Sequence, residues 1–221
     1  MSIKENLDFY KKHLPETVEL VAVSKTKPNS LIVEAYETGQ RIFGENKVQD
    51  LAAKQPELPQ DIKWHFIGHL QRNKVKFIAP FVDTIHAIDS LRLLKEVNKQ
   101  AENNNRTINC LLQFHIAEEE AKFGLDLSEA NELLKSDDFK NCENINVVGL
   151  MGMATYTENT DQVRKEFRIL KSYFDKLKIE FFSQNEHFKE ISMGMSGDYK
   201  IAIEEGSTMI RIGTGIFGSR N

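Results

Sequence analysis

Apolar, β-branched runs alternate with longer amphipathic stretches along the whole chain of 221 residues. The first run, 19–24, closes on Lys25, and a helical pattern follows with Asn29 placed to cap it and Gly39 to stop it. A second run at 41–44 precedes a helix over 45–54, and a third at 63–68 precedes a helix over 71–78 whose end Pro80 marks. Runs at 82–87 and 108–116 flank a helix over 90–103, and a helix over 128–135 leads to a run at 145–151. The longest helix, 160–177, repeats Val163, Phe167, Leu170, Phe174 and Leu177 at helical spacing. Runs at 190–193 and 209–212 enclose a last helix over 198–205.

These are eight strands, each but the last followed by a helix. Strict alternation argues for a parallel sheet, because parallel neighbours need a crossover connection. Eight units favour closure into a (β/α)₈ barrel over an open doubly wound sheet. A dinucleotide-binding sheet would want a glycine-rich turn after its first strand. Here that strand ends Ser24-Lys25-Thr26-Lys27-Pro28, without a glycine. The leading segment 3–12 reads as an extra helix outside the repeat, and no linker or composition shift divides the chain, so one domain over 1–221 is expected.

Composition adds exclusions. With 40% hydrophobic and 28% charged residues the chain reads as an ordinary globular protein, and its length can bury that apolar content in one core. A net charge of −4 argues against a dedicated nucleic-acid binder, though it leaves room for a local positive pocket. The N-terminal residues are polar and Lys-rich, and no apolar run is long enough to span a membrane. Cys110 sits in an apolar run and Cys142 in a polar turn, with neither a disulfide framework nor metal-ligand spacing around them. Two free thiols suit a reducing compartment, and the expected location is the cytoplasm.

In a barrel of this kind functional residues lie at the C-terminal ends of strands. Lys25 ends the first run, where a lysine would enter the barrel mouth beside apolar side chains. Desolvation there disfavours the ammonium and makes a neutral amine available to an aldehyde. The competing reading is a solvated strand-end lysine. Lys27, just before Pro28, is expected at the rim.

The far end of the chain supplies Gly194-Met195-Ser196-Gly197-Asp198 after strand seven and Arg211-Ile212-Gly213-Thr214-Gly215 in and after strand eight. Such barrels often hold a phosphate with these two loops and a helix N-terminus. Glycines let the backbone approach, and Ser196 and Thr214 add hydroxyls. Either loop alone would pass for an ordinary turn; both at matching positions favour the phosphate. Arg211 either snorkels outward or points inward, where it could donate to the ring nitrogen of a planar ligand. A pyridoxal ring nitrogen meets an Asp or an Arg, and an Arg leaves it unprotonated and the ring a weaker electron sink. Asn46, after Phe43-Gly44-Glu45, would orient such a ring or cap a helix. His65 reads as a satisfied interior histidine, Glu118-Glu119-Glu120 as a solvated charge run, and no metal is expected.

The segment Val21-Ala22-Val23-Ser24-Lys25-Thr26-Lys27-Pro28 resembles the N-terminal signature of the pyridoxal phosphate homeostasis proteins, similar in fold to the N-terminal barrel of alanine racemase. Phe43-Gly44-Glu45-Asn46, Trp64-His65-Phe66-Ile67-Gly68, Gly194-Met195-Ser196 and Arg211-Ile212-Gly213-Thr214 carry the same resemblance, which spans nearly the whole chain. It implies a fold-type III barrel with pyridoxal 5′-phosphate on Lys25 as a Schiff base. It also implies Arg211 facing the pyridine nitrogen, Ser196, Gly213 and Thr214 on the phosphate, and Asn46 near the cofactor. The family is associated with control of vitamin B6 vitamers, without a settled reaction. Lys47 departs from it, since relatives more often carry an aromatic residue there.

Three functions fit these residues. The favoured one is a cofactor carrier or regulator, without a dedicated catalytic reaction, that hands pyridoxal phosphate to dependent apoenzymes. A racemase-like enzyme is the second; it would need a further acid/base group that the racemases take from a separate C-terminal domain. As the chain stops at Asn221, that domain is expected to be absent and the protein to be a monomer. The third is a Schiff-base aldolase on a phosphorylated substrate, which the barrel alone does not exclude.

Overall fold

Eight parallel strands close on themselves in sequence order, β1 through β8, in a computed structural model that describes residues 2–118 and 123–218. The strands are β1 (Glu19–Val23), β2 (Ile42–Glu45), β3 (Lys63–Phe66), β4 (Thr84–Ile88), β5 (Ile108–Phe114), β6 (Ile145–Gly152), β7 (Glu190–Ser192) and β8 (Met209–Ile212). Closure comes from β1 and β8, where Val21 pairs with Arg211 and Ala22 with Ile212. Alternate strand residues point outward and bury against the helices: Leu20, Ala22, Phe43, Trp64, Phe66, Ile210 and Ile212 all join the shared hydrophobic core.

The helices are α1 (Ile3–His13), α2 (Asn29–Glu37), α3 (Val48–Lys54), α4 (Leu91–Asn103), α5 (Leu127–Lys135), α6 (Asp137–Lys140), α7 (Thr160–Phe181), α8 (Tyr199–Glu204) and α9 (Thr214–Phe217). Along α7 the expected stripe of Val163, Phe167, Leu170, Phe174 and Leu177 is buried throughout. The extra N-terminal helix starts on a capping box between Ser2 and Glu5 and packs on α9, where Asn6 Nδ2 donates to the Ile216 carbonyl at 2.9 Å.

Four local expectations are corrected. The segment after β3 is a 3₁₀ helix, Arg72–Phe77, not an α-helix, because its short span closes i→i+3 bonds such as Lys74 N–H to Gln71 O. Helix α3 begins at Val48 rather than residue 45, since Glu45 still pairs with Phe66 in the sheet and Lys47 is extended. Asn29 is not a cap: it is the first residue of α2, and its side chain instead donates to Glu57 Oε2 at 2.6 Å. The last strand is followed by a short helix after all, α9, which turns the chain back toward α1. Glu118 is exposed and meets Lys165, while Glu119 and Glu120 lie outside the described residues.

Candidate functional site

Lys25 stands in a turn one residue beyond the point where Ser24 N–H extends the sheet ladder to Gly44 O at 3.0 Å. The turn closes with Lys27 N–H on Ser24 O at 3.0 Å, and Thr26 holds φ at +64°. That left-handed conformation is costly for a β-branched residue, of order 1–3 kcal/mol, and persists only where the surroundings impose it. The half-buried Lys25 is therefore presented from a constrained backbone, whereas the Lys27 ammonium turns to the Gly218 carbonyl at 3.3 Å.

Beside this turn β2 ends in Glu45 and Asn46. Glu45 is fully buried, its Oε1 taking bonds from Ser24 Oγ and Lys54 Nζ, each at 2.6 Å. Burial pushes its carboxyl above the usual carboxylate range, and the Lys54 and Ser24 bonds pull it back only part of the way. Asn46 Oδ1 is buried without a hydrogen-bond partner among the described residues. Its backbone is approached so closely by Gly68 that a Cβ there would lie 2.2 Å from Asn46 O. Lys47 is exposed at the start of α3.

The loops after β7 and β8 meet at the same mouth. Gly194 has φ at +96°, and a Cβ on it would lie 2.6 Å from Ala202 Cβ, so this position excludes a side chain. Asp198 Oδ1 accepts from Met195 N–H and closes the loop, while Ser196 Oγ lies 3.5 Å from Gly215 N. Gly213 packs against β1: a Cβ on it would be 3.3 Å from both Val23 Cβ and Val23 O. Chain closure thus sets Gly213, Thr214 and Gly215 beside the strand that leads into Lys25. Ser196 and Thr214 are both exposed at this rim.

Arg211 points inward. It is 4% exposed, and donates from Nη1 to Ser192 Oγ at 2.5 Å and from Nη2 to Gly152 O, at the end of β6, at 3.1 Å. Burial pulls its pKa down to about 10, with Asp198 acting weakly in the other direction, so it remains a cation at neutral pH. Two of the five guanidinium N–H groups are used by these bonds, leaving donors for a ligand.

Lys25, Asn46, Ser196, Arg211, Gly213 and Thr214, scattered over the sequence, therefore converge on the C-terminal end of one barrel. The set combines an amine, an orphaned amide oxygen, a buried cation with spare donors and a glycine-lined turn carrying hydroxyls. It fits a planar, phosphorylated aldehyde. Sequence reasoning missed the Glu45–Lys54 pair and the interior residues His86 and Ser192. The period-two parity of β3 and β4, which puts His65 and His86 on the same side of the sheet as Lys63 and Thr84, was the available signal.

The fold and this mouth define a class, the alanine racemase N-terminal domain, whose family model matches residues 1–221. Within that class the chain belongs to the pyridoxal phosphate homeostasis protein family. It is 40% identical over 203 residues to the member from Aquifex aeolicus, covering 91% of this chain and 87% of that one. The human member is 39% identical over 212 residues, covering 91% of this chain and 76% of its own. Among solved structures, PipY of Synechococcus elongatus with PLP bound superposes with a TM-score of 0.90 at 34% identity, covering 98% of this chain and 100% of PipY. Alanine racemase of Clostridium difficile shares the fold at a TM-score of 0.72 and 17% identity, with 99% of this chain but 56% of the racemase covered.

Proposed function

We propose that this protein binds pyridoxal 5′-phosphate at the barrel mouth and acts in intracellular homeostasis of that cofactor rather than as a dedicated catalyst. One observation carries the reading: closure of β1 against β8 brings Lys25, Arg211 and the Gly213–Thr214 turn to a single site. The relatives' names and the PLP-bound PipY structure support it.

In this reading Lys25 Nζ condenses with the aldehyde carbon, releasing water and forming a C=N bond. Bound there, the cofactor would supply an electron-withdrawing ring. Ser196, Gly213 and Thr214 hold the phosphate, and Arg211 donates a hydrogen bond to the ring nitrogen. Because a guanidinium with a pKa near 10 gives up its proton reluctantly, that nitrogen stays unprotonated and the ring's electron demand stays low. Such a site holds the aldehyde more readily than it activates an amino acid. Asn46 Oδ1 is free to accept from a group of the ligand.

The proposal extends to a monomer in the cytoplasm that passes the cofactor to dependent apoenzymes. Two unbridged cysteines, Cys110 and Cys142, are in keeping with a reducing compartment, and among the described residues no helix is long and apolar enough to cross a membrane. The racemase-like alternative rests on fold alone.

The test is an absorption spectrum of protein incubated with pyridoxal phosphate, then borohydride reduction and peptide mapping. A visible band that reduction fixes on Lys25 supports the reading. A colourless protein that takes up no cofactor overturns it, and stereochemical inversion of an amino acid by the loaded protein would favour the racemase.

A further inference from the structure

The barrel interior is not uniformly apolar. His65, His86, Ser192 and Arg211, on four different strands, are each at most 4% exposed and form one connected line. Ser192 Oγ lies 2.5 Å from Arg211 Nη1 and 3.0 Å from His86 Nδ1. His86 Nε2 lies 2.9 Å from His65 Nδ1. His65 Nε2 then faces Asp83 Oδ1 at 3.6 Å, a charge contact rather than a direct hydrogen bond. Asp83 precedes β4 and, with Lys63, Glu19 and Glu190, lines a cleft of about 240 Å³ at the N-terminal ends of the strands. The line therefore runs from that cleft through the barrel to the residue that faces the cofactor.

Its polarity follows from chemistry. A guanidinium only donates, so Ser192 Oγ accepts from Arg211 and has one hydrogen left to give. That hydrogen goes to His86 Nδ1. Burial, with His65 and Arg211 nearby, holds His86 well below the usual histidine value, so the ring is neutral and carries its proton on Nε2. The Nε2–H donates to His65 Nδ1, which leaves the His65 proton on Nε2, toward the Asp83 carboxylate. A proton on His65 Nδ1 would meet the His86 N–H head-on. Thr84 Oγ1 donates to Asp83 Oδ1 at 2.8 Å and holds that carboxylate in place.

We propose that Ser192, His86, His65 and Asp83 are positioning residues forming a one-directional relay that orients Arg211 and couples the N-terminal face of the barrel to the cofactor's ring nitrogen. The proposal rests on the reading that the mouth holds pyridoxal phosphate. Every donor in the line points away from Arg211 and every acceptor toward it. The cation at the mouth and the carboxylate at the base thus polarise the same set of bonds. Loss of a link would let the guanidinium turn and change the field at the ring.

Two measurements test this. In the unloaded wild-type protein, ¹⁵N NMR of labelled histidines should show both His65 and His86 protonated on Nε2 and bare on Nδ1. In the loaded protein, Ser192→Ala and Asp83→Ala should shift the visible band, and Ser192→Ala should release the cofactor roughly tenfold faster, as when an outer partner of a binding group is removed. Asp83 is partly exposed, so its variant tests the far end of the line without emptying the interior. Cys110→Ala, buried but off the line, controls for general destabilisation and should leave the band in place. A proton on Nδ1 of either ring, or bands unmoved in both relay variants, overturns the relay. Failure of wild type to load at Lys25 overturns the binding reading instead, while the tautomers still report on the relay.

Discussion

Lys54 Nζ lies 2.6 Å from Glu45 Oε1 and 3.0 Å from the carbonyl oxygen of Ser24, the residue before Lys25. One ammonium thus neutralises a buried carboxylate and pins the end of β1. The Glu45 side chain is 0% exposed and that of Lys54 12%, so neither charge is well solvated. Breaking such a pair from one side costs about 3–5 kcal/mol, because the remaining charge stays buried. Lys54→Ala should lose that much stability in urea unfolding. Glu45→Gln combined with Lys54→Ala should cost less than the sum of the two single changes. Additive losses would show that the two groups are energetically independent.

Lys25 and Lys27 differ by one turn residue, yet the turn sends them to different places. Lys25→Ala should abolish the covalent attachment trapped by borohydride. Lys27→Ala removes the contact with Gly218 O and should leave attachment largely intact. Label retained in the Lys25 variant would sink the assignment.

Glu166 ties the loops after β5 and β6 to α7. Its oxygens accept from Thr155 N–H at 2.6 Å, Thr155 Oγ1 at 2.7 Å and Glu118 N–H at 3.2 Å. Burial pushes its carboxyl up, but these bonds outweigh it and the net position is below the usual glutamate value. A folded-state pKa lying below the unfolded one means the stabilisation is complete above the unfolded value and is lost as pH falls through the folded one. Glu166→Gln should therefore cost roughly 1–3 kcal/mol at neutral pH. The gap from wild type should begin to narrow as pH falls below the unfolded glutamate value of about 4.3, where the unfolded chain takes up the proton first. A gap independent of pH would assign the loss to packing.

Two glycines at the mouth should respond differently to an added methyl. A Cβ on Gly215 would sit 2.1 Å from Tyr10 Oη, so Gly215→Ala forces α1 and α9 apart and should cost roughly 1–3 kcal/mol. A Cβ on Gly197 meets nothing within 4 Å, and Gly197→Ala should leave the melting temperature unchanged. Equal losses from the two would mean that the extra helix does not brace the turn after β8.

Much of the architecture was legible along the chain. Eight β-branched runs and the amphipathic stretches between them are local signals, and the parallel barrel follows from their alternation. The misplaced boundaries fell where local preference is weak. Nothing in the residues 45–47 says that the sheet keeps Glu45, and the segment after β3 is too short to distinguish an α from a 3₁₀ turn. The placement of Lys25 just past β1 was legible because a strand end in a closed barrel has a known direction, and that of the glycine loops because two of them stand at matching positions.

What the sequence by itself determined is this list of elements and the chemical types at their ends. Only the tertiary structure decided which way Arg211 points, since Ile210 and Ile212 beside it are compatible with either face until the helices claim them for the outer core. Closure likewise decided that His65, His86 and Ser192 share one line, and that Lys54 serves a carboxylate nine residues before it rather than solvent. The physical reason is common to all of these. Hydrophobic periodicity is a local property of the chain, whereas satisfying a buried charge or imidazole depends on partners supplied by strands that meet only when the barrel closes.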